Sequence, residues 1–497
     1  MKSEELRNIK EVGEDKRKRV LFANPRRNTT TNQVPHMGLA ILASILKKRG
    51  HEILVVDYNL IPDAPNIPSF IRKFKPDVIG ITIYTANTKE ADKIIGDSKI
   101  FAPNTPLIVG GPHPTLYYDE SQKDNRIDYI VRGEAELVIM DLVENAKKEK
   151  IASIIQARER VNPDDVPYPE YKVFYKWQYI RGYSIMTSRG CPYRCSFCPV
   201  VSVSGKLWRV RAPESCIREI EHAMKEISPN LHILVQDDNP LVDKNRFYRF
   251  LRIYAERIGL RLSVTNIRAD DVNDELLTLL KKANCNSVGL GVEHAHPEVF
   301  KLINKGETLE QIEKAANLVR NHGMLLSLCF VIGLPGDNIR RIRASIEFAK
   351  KLKPDSIYWN SVMPYRSTSI RAWFGKHGTL YNEIGHTSLA EGSFMANEPV
   401  VETPDFTKEE RIKAHYLCLF ETIDDKLKLG KSILIFLEAA KYQLYSEFFY
   451  WLPRAVIKEI KNTRSLIEKA HDYSKREGVK AMLERMIFLM KSRNAEN

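Results

Sequence analysis

The stretch TSRGCPYRCSFCPV, residues 187–200, contains three of the seven cysteines of the chain. Cys191, Cys195 and Cys198 follow a Cys-x3-Cys-x2-Cys spacing, which places three thiolates on one loop. A structural zinc site normally uses four ligands, but the next cysteine, Cys216, is 18 residues further on. An iron–sulfur cluster is the other common use of grouped thiolates. Three cysteines on a four-iron cluster leave one iron open to bind a substrate.

The segment after the cysteines alternates apolar strands with amphipathic helices up to about residue 365. With the strand at 183–187, which precedes the cysteine loop, it contains six strand–helix units. Six units predict a partial (β/α)6 barrel and not the closed barrel of eight. The cysteine loop follows the first strand at its carboxyl end, where barrels of this type keep their chemistry.

The segment before the cysteines also alternates strands and helices. Strands are predicted at 19–25, 52–58, 77–84, 106–111 and 127–133, and helices at 38–49, 66–74 and 88–100. Strands that are apolar on both faces predict an α/β doubly wound parallel sheet, here of flavodoxin-like order. Ligands of such sheets bind at the carboxyl ends of the strands. A Gly-x-Gly-x-x-Gly motif is absent from the sequence, so a dinucleotide site has no direct support.

Composition and charge restrict the class of protein. The chain has 497 residues and a formal net charge of +13, which fits anionic partners or a merely Lys-rich surface. Seven cysteines without a regular framework indicate a reducing cytoplasm. The first residues are charged and lack the apolar core of a signal peptide. The basic residues are dispersed and no nucleic-acid module is recognisable, so no specific nucleic-acid partner is predicted.

Five segments are predicted along the chain. They are a charged leader (1–17), the first α/β domain (18–145), an extended linker (146–181), the partial barrel (182–395) and a mainly helical C-terminal region (396–497). The aromatic stretch 431–460 within the last segment predicts helices that close the barrel mouth. A lid or docking surface for a lipid or another large apolar substrate, with peripheral membrane contact, is the alternative.

The cysteine spacing, with an aromatic residue just before the last cysteine, resembles the signature of the radical S-adenosylmethionine (SAM) superfamily. The segments QDDN (236–239), NIRAD (266–270), GLGVEHA (289–295) and VIGLPGD (331–337) resemble the SAM-binding motifs of that superfamily. The resemblance implies a 4Fe–4S cluster on the three cysteines and SAM contacts from Phe197, Asp237, Asp238, Arg268, Glu293 and Ile332. The two aspartates would meet the methionine amine, Arg268 the carboxylate and Glu293 the ribose.

The first domain resembles the cobalamin-binding domain that precedes many radical SAM enzymes. The matching segments are VPHMGLAILASILKKRGHEILVVD, VGGPHPT and DYIVRGEAE. The resemblance implies cobalamin contacts from Asn24, Tyr84, Thr85, Gly110, Gly111, His113, Gly133 and Glu134. His36, His51 and His113 all lack the Asp-x-His-x-x-Gly context of mutase-type domains. The resemblance therefore implies either cobalamin without a protein histidine beneath cobalt, or a domain of this shape without cobalamin.

The resemblance also implies the function. Reductive cleavage of SAM would give methionine and a 5′-deoxyadenosyl radical, and cobalamin would direct the chemistry to methylation of an unactivated carbon. Ring formation or rearrangement, as in the anaerobic porphyrin cyclase type, remains open, and so does a zinc-containing binding or scaffold protein. Expected partners are an electron donor such as flavodoxin or ferredoxin and a small-molecule substrate, with a lipid or a tetrapyrrole as candidates. No catalytic residue is assigned beyond the cluster ligands.

Three of the other cysteines, Cys285, Cys329 and Cys418, are expected to be small apolar residues in the interior. Cys216 lies on the predicted helix after the cysteine loop, and no role is assigned to it.

Overall fold

The computed structural model of the protein describes most of the chain up to residue 422. The described ranges are 2–27, 34–157, 159–381 and 399–422. Contacts divide the chain into two units, Met1–His415 and Tyr416–Asn497. The first unit contains both predicted α/β segments. Most of the predicted C-terminal helical region, including the aromatic stretch 431–460, lies outside the described residues, and the predicted segment boundaries stay predictions.

The first sheet has six parallel strands in the order β2-β1-β3-β4-β5-β6. Its strands are β1 Arg19–Asn24, β2 Glu52–Asp57, β3 Val78–Thr82, β4 Leu107–Gly110, β5 Tyr129–Arg132 and β6 Ser153–Gln156. The central strands β1, β3 and β4 are buried along nearly their whole length, which explains their continuous apolar sequences. The five predicted strands and the flavodoxin-like order are confirmed. The sixth strand was not predicted and falls inside the segment predicted as a linker.

Helices cover both faces of this sheet. They are α1 Met37–Lys48, α2 Ile67–Phe74, α3 Thr88–Phe101, α4 Pro112–Leu116, α5 Tyr118–Ser121 and α6 Ile139–Asn145. Helix α1 contacts α6, and α2 contacts α3. The first turn of α1 is capped by His36, whose Nδ1 accepts a hydrogen bond from the Leu39 N–H over 3.0 Å. The predicted doubly wound architecture is therefore confirmed.

The second α/β segment forms a partial barrel. Its six parallel strands are β7 Gly182–Ile185, β10 His232–Val235, β11 Leu262–Val264, β12 Ser287–Glu293, β13 Leu325–Ile332 and β14 Ser356–Ser361, and a short antiparallel ribbon pairs β8 Ser188–Arg189 with β9 Arg209–Val210. The barrel strands pair as β7-β10-β11 and β12-β13-β14. A parallel bridge between Ile267 and Leu290 joins the two sets. The predicted open barrel of six strands is confirmed.

Helices alternate with the parallel barrel strands, so the carboxyl ends of these strands lie on the same side of the barrel. They are α7 Val200–Val203, α8 Pro213–Glu226, α9 Lys244–Arg257, α10 Asp274–Lys282, α11 Pro297–Leu302, α12 Leu309–Asn321, α13 Ile342–Leu352 and α14 Ser369–His377, followed by the strand pair β15 Thr379–Leu380 and β16 Val401–Glu402 and by α15 Lys408–Thr422. Of the three cysteines predicted to be interior, Cys285 and Cys418 are buried and Cys329 is half-buried; Cys216 is buried as well. None of the described helices is long and apolar enough to cross a bilayer.

Candidate functional site

The cysteine loop begins after β8 and ends in the short helix α7. Gly190, just before Cys191, has a φ of +89°, and a Cβ atom there would collide with the carbonyl oxygen of Leu207. Glycine therefore lets the loop pass close to the segment that follows α7. The Cys191 N–H donates a hydrogen bond to the Gly205 carbonyl oxygen over 3.3 Å. These contacts fix the loop on the barrel rim.

The three thiols of the loop are half-buried and interact electrostatically with one another. Burial raises the pKa of each thiol, that of Cys198 to about 12, while the cations of Lys305 and Arg268 oppose the rise at Cys195. The described residues contain no group of three His, Cys, Asp or Glu side chains that could hold a single metal ion. A donor set of three thiols fits a four-iron cluster that keeps one iron open.

Asp237 and Asp238 follow β10 and have different surroundings. Asp237 is fully buried, and its carboxylate accepts hydrogen bonds from the Thr187 N–H (2.6 Å), the Thr187 hydroxyl (2.5 Å) and the Ser188 hydroxyl (2.6 Å). Because protein donors engage both oxygens, Asp237 anchors the chain that leads into the cysteine loop. Asp238 accepts from the Gly190 N–H over 2.8 Å and therefore lies beside that loop.

Arg268 lies next to the cysteine loop, but its guanidinium already has a partner. Its Nε and Nη2 donate to the two carboxylate oxygens of Asp270, each over 2.9 Å, and Nη1 donates to the Lys305 carbonyl oxygen over 3.0 Å. The guanidinium carbon is 3.9 Å from the centre of the Tyr193 ring, within the cysteine loop. A ligand carboxylate at this position would compete with Asp270 for the same pair of donors.

Glu293 ends β12 in an unusual conformation. Its φ is +65°, and the pairing of β12 with β13 shifts register between Gly291 and Glu293. Lys305 lies 3.4 Å from the Glu293 carboxylate and 3.0 Å from that of Glu307. Burial raises the pKa of Glu293, and Lys305 opposes this rise. The sequence interpretation missed Lys305, a buried cation close to Cys195.

The remaining two predicted SAM residues are less directly placed. Phe197 packs on an apolar cluster that includes Val299, Leu334 and Phe374. The buried Ile332 ends β13, where its carbonyl oxygen accepts from the Val362 N–H over 2.9 Å. Phe197 therefore ties the cysteine loop to this apolar cluster, while Ile332 is a buried residue of the barrel wall.

A cavity of about 460 Å³ lies between the strand ends of the first sheet and the barrel. Six of the eight predicted cobalamin residues line it: Asn24, Tyr84, Gly110, Gly111, Gly133 and Glu134. The barrel contributes Met186, Arg189 and Gln236, among others. Gly111 has a φ of +99°, and a Cβ atom there would lie 2.8 Å from the Thr82 hydroxyl. The cavity thus joins the predicted cobalamin residues to barrel residues on either side of the cysteine loop, such as Arg189 and Val203, while none of the predicted cluster or SAM residues lines it.

The other two predicted cobalamin residues, Thr85 and His113, do not line this cavity. They are buried and hydrogen-bonded to each other, with 3.2 Å between the Thr85 hydroxyl and His113 Nδ1. The His113 ring also stacks on Tyr117, with 4.7 Å between the ring centres. The pair therefore supports the cavity wall from behind.

His113 is expected to make the stability sensitive to acid. Burial, aided by the Arg366 cation, lowers its pKa from 6.5 to about 4. Between these pH values the unfolded chain binds a proton that the folded chain does not, so stability falls as the pH drops from 6.5 to 4. The loss should reach about 3 kcal/mol, since one pKa unit corresponds to about 1.4 kcal/mol. Urea unfolding from pH 7 to pH 4 measures it.

The variant His113→Phe, which keeps a ring against Tyr117, is the comparison for this prediction. Its stability should fall less than that of the wild type over the same pH range, because the ionisable ring is gone. Equal pH dependence of the two proteins would show that His113 does not cause the effect.

Two polar side chains that line the cavity, His36 and Tyr84, contact each other, and the sequence did not predict this contact. We refer to this part of the lining, with the neighbouring Asn24 and Arg27, as the cavity floor. His36 Nε2 and the Tyr84 hydroxyl are 3.1 Å apart, and the backbone N–H of His36 donates to the Asp57 carboxylate over 2.9 Å. Since His36 Nδ1 accepts from the backbone, Nε2 carries the proton and donates to Tyr84. Burial lowers the pKa of His36 to about 4, although Asp57 acts in the other direction. His36 is therefore neutral, with both ring nitrogens engaged.

Buried ion pairs join the first domain to the barrel beside the cavity. Arg189 Nη1 is 2.6 Å from Glu136, and Arg209 donates to both carboxylate oxygens of Glu134 over 2.5 and 2.8 Å. Although burial alone would raise it, the pKa of Glu134 is lowered by Arg209, Arg189 and Arg160. Glu134, predicted to contact cobalamin, thus holds the ribbon of β8 and β9. We refer to Glu134, Glu136, Arg189 and Arg209 as the interdomain clamp.

The clamp is expected to contribute to stability. Glu136→Gln leaves the buried Arg189 without its nearest counter-charge and should lower the free energy of unfolding by about 3 kcal/mol. Glu221→Gln, which removes the exposed partner of Arg257, is the matched control and should cost less than about 1 kcal/mol. Chemical denaturation compares the two. Equal losses would contradict an energetic role for the clamp.

Comparisons with known proteins agree with this geometry. Residues 185–349 match the family model of the Radical SAM superfamily, and residues 25–143 match that of the B12 binding domain. The chain is 30% identical over 405 residues to an uncharacterized methyltransferase of Pyrococcus horikoshii, covering 76% of this chain and 85% of that one. The chain belongs to the radical SAM superfamily. It is a radical SAM enzyme with a B12-binding domain, and the predicted cluster, SAM and cobalamin are confirmed as its cofactors.

This radical SAM enzyme is also similar to a characterised cyclase and to a solved methyltransferase structure. It is 28% identical over 385 residues to the anaerobic magnesium-protoporphyrin IX monomethyl ester cyclase of Rubrivivax gelatinosus, covering 70% of this chain and 68% of the cyclase. The structure of the radical SAM methyltransferase TsrM of Kitasatospora setae, with cobalamin and a 4Fe–4S cluster bound, aligns with a TM-score of 0.63 at 18% identity, covering 89% of this chain and all of that one.

The cobalamin-dependent radical SAM enzyme OxsB has a similar fold. It aligns with a TM-score of 0.64 at 15% identity, covering 96% of this chain and 75% of OxsB. At such low identities, the two solved structures establish the shared fold of a B12-binding domain followed by a radical SAM barrel. The alternative of a zinc-containing scaffold protein is not favoured, because the family match assigns the cysteine loop to a radical SAM domain.

Proposed function

We propose that this protein is a cobalamin-dependent radical SAM methyltransferase that methylates an unactivated carbon of a small molecule. The cavity between the two domains is the observation that carries the proposal. Its walls come from the strand ends of the B12-binding domain and from the part of the barrel that bears the cysteine loop. Methyl transfer from cobalamin to a carbon activated by SAM cleavage requires both cofactors to face one substrate.

Three cysteines and three polar side chains would hold the cluster and SAM. We assign the cluster to Cys191, Cys195 and Cys198. Asp238, Arg268 and Glu293 are assigned to the methionine amine, the methionine carboxylate and the ribose. Their proximity to the cysteine loop supports this assignment, since Asp238 bonds Gly190 and Arg268 stacks on Tyr193. Phe197, Asp237 and Ile332 would act by packing and by anchoring the loop.

The cavity floor has polar atoms suited to a large polar ligand. Asn24 Oδ1 and Arg27 Nε are buried and have no hydrogen-bond partner among the described residues, and both residues line the cavity. Such orphaned atoms are costly unless a ligand or water satisfies them. With Gly110 and Gly133 providing space, this surface fits cobalamin. His36, which also lines the cavity, has both ring nitrogens engaged, by the Leu39 N–H and by the Tyr84 hydroxyl.

The protein would contribute positioning, electrostatics and exclusion of solvent. When bound, the cluster and SAM supply radical chemistry, and cobalamin supplies methyl transfer. Lys305 and Arg268 lower the cost of thiolate charge at Cys195. The interdomain clamp would hold the first domain against the β8/β9 ribbon, which leads into the cysteine loop. Radical SAM enzymes also need a reductant, which we expect to be an electron-transfer protein.

Metal analysis and a methyl-transfer assay test the proposal. The protein is purified and its cluster reconstituted without oxygen, incubated with hydroxocobalamin, desalted, and analysed for cobalt and iron together. We expect about four irons and one cobalt per chain. Iron without cobalt would remove the methyl-transfer proposal and leave radical chemistry of another kind.

Filling the cavity at Gly110 should weaken cobalamin binding without unfolding the protein. A Cβ atom at Gly110 would make only ordinary contacts, with the nearest atom, Val131 Cβ, 3.7 Å away. Gly110→Leu should therefore fold and raise the Kd for hydroxocobalamin at least about tenfold, a loss of about 1.4 kcal/mol. Absorbance titration measures the Kd.

The neighbouring variant Gly111→Ala distinguishes the effect of filling the cavity from the effect of backbone strain. Its φ of +99° disfavours any side chain, so it should destabilise the fold by about 1 kcal/mol or more. Unchanged cobalamin affinity in Gly110→Leu would show that the ligand does not occupy this part of the cavity.

Ring formation on a tetrapyrrole is the second candidate function. It is favoured by the 28% identity to the magnesium-protoporphyrin IX monomethyl ester cyclase. Incubation with magnesium-protoporphyrin IX monomethyl ester and SAM labelled in its methyl group distinguishes the two functions. A labelled product supports methylation, while an unlabelled cyclised product supports ring formation.

A further inference from the structure

The chain around the cysteine loop has an unusual charge pattern. Residues 171–213 contain eight Lys and Arg residues and no Asp or Glu. Three of these cations are buried in ion pairs with carboxylates from elsewhere in the chain: Arg189 with Glu136, Arg209 with Glu134, and Arg211 with Glu219. The segment thus supplies the positive side of every buried pair it makes. Of its five remaining cations, Lys172 pairs with Glu226, whereas Arg194 and Lys206 lie within and just after the cysteine loop.

Two of the remaining cations flank the cysteines. They are Arg194, which lies between Cys191 and Cys195, and Lys206, which follows α7. Both side chains are exposed. Neither makes an ion pair with any described residue. The side chain next to Lys206, that of Leu207, is apolar and 70% exposed. We call residues 205–208 the rim loop.

The rim loop is held rigidly against the cysteine loop. The Gly205 carbonyl oxygen accepts from the Cys191 N–H, and the Leu207 carbonyl oxygen closely approaches Gly190. At its far end, the Trp208 indole N–H donates to the Asn239 carbonyl oxygen over 3.0 Å. An exposed leucine on a fixed backbone, directly behind a cluster ligand, is therefore a permanent feature of the surface.

We propose that the rim loop, together with Arg194, is the docking surface for a one-electron donor protein with an acidic face. This inference rests on the proposed function, because radical SAM chemistry requires a reductant. In the proposed contact one electron leaves the donor, which is oxidised, and enters the cluster, which is reduced by one electron. No bond forms or breaks and no proton moves.

The chemistry of the surface favours this partner. Transient electron-transfer complexes are small, and they use charge complementarity for fast and specific encounter. A single exposed apolar side chain beside unpaired cations matches such an interface. The Leu207 carbonyl oxygen lies close to Gly190, the residue before Cys191. A protein docked on Leu207 would therefore lie close to a cluster ligand. A short distance between donor and cluster follows from this arrangement.

Stopped-flow reduction of the cluster tests the docking surface. The reconstituted full-length protein is mixed with reduced flavodoxin or, separately, with titanium(III) citrate, and bleaching of the cluster is followed. Lys206→Glu and Leu207→Ala should each lower the second-order rate constant with flavodoxin at least about tenfold and leave the rate with titanium citrate unchanged. The wild-type rate with flavodoxin should fall as ionic strength rises.

Matched variants on the first domain are the controls. Ile100→Ala removes a leucine-sized side chain that is 72% exposed on α3, and Lys73→Glu reverses an exposed cation on α2. Both should behave as wild type with either reductant. Equal slowing of the rim-loop variants with both reductants would overturn the proposal, since the loop would then act on the cluster itself. Unchanged rates with flavodoxin would overturn it as well.

A membrane surface is the competing occupant, and it has its own outcome. If Lys206→Glu abolishes binding to phosphatidylserine vesicles while reduction by flavodoxin is unaffected, the docking proposal is overturned. SAM cleavage by the wild type with titanium citrate is measured in the same samples. Absence of cleavage would reject the proposed radical function, whereas the reduction rates would still decide where the donor docks.

Discussion

Cys195→Ala is expected to abolish reductive cleavage of SAM, lowering its rate at least about a thousandfold, or about 4 kcal/mol in the barrier. The variant keeps only two of the three thiols that the loop provides. Burial raises the pKa of these thiols, so their ionisation depends on bound iron, and the loss of one ligand weakens the others. Methionine and 5′-deoxyadenosine are quantified after anaerobic incubation with titanium(III) citrate, and iron and sulfide are measured on the same protein.

Cys216→Ala is the matched control for the loss of a thiol. Cys216 is fully buried in α8, outside the cysteine loop, and burial raises its pKa to about 12. Its replacement should cost about 1 kcal/mol of stability and leave iron content and SAM cleavage intact. Continued SAM cleavage by Cys195→Ala with a full complement of iron would contradict the assigned cluster ligands.

The fold was predictable from the sequence where strands are buried on both faces of the sheet. Strands such as Val78–Thr82 are buried on both faces, so their sequences are continuous apolar runs that identify a parallel sheet. The sixth strand, Ser153–Gln156, has half-buried side chains at the sheet edge, and four residues without a clear pattern do not identify a strand. The two-residue strands β8 and β9 are likewise too short to leave a periodic signal.

The candidate site was predictable where its residues are close in sequence or follow the carboxyl ends of predicted parallel strands. The cysteines fall within eight residues of one another, and their spacing alone indicates the cluster. By contrast, the partners Arg189 and Glu136 are 53 residues apart, and His36 and Tyr84 are 48 apart. Such pairs arise from tertiary packing, so neither member is distinguished in the sequence from an ordinary surface charge or helix cap.

The sequence also does not distinguish the roles of the adjacent carboxylates Asp237 and Asp238. Asp237 and Asp238 both follow β10, and their sequence positions suggested a shared contact with the methionine amine. Successive side chains of an extended segment point in opposite directions. One carboxylate therefore enters the interior and meets Thr187 and Ser188, while the other faces the Gly190 N–H. The direction of each side chain depends on register, which the motif does not specify.

Asp237→Ala is expected to destabilise the protein by at least about 3 kcal/mol and to lower iron retention. The substitution leaves three buried donors, two from Thr187 and one from Ser188, without their acceptor. Arg246, which donates to the Thr187 hydroxyl over 2.9 Å and interacts electrostatically with Asp237, also loses a counter-charge. Since these residues lead directly into Gly190 and Cys191, loosening them should disturb the cysteine loop.

Urea unfolding and iron analysis together distinguish this role from a contact with SAM. Asp77→Ala is the control, because Asp77 accepts one exposed hydrogen bond from the Arg19 N–H over 2.8 Å and should cost less than about 1 kcal/mol. A residue that only binds the methionine amine would weaken SAM binding and leave stability unchanged. If Asp237→Ala keeps wild-type stability but raises the Kd for SAM, Asp237 is a ligand contact and its hydrogen bonds to Thr187 and Ser188 are dispensable.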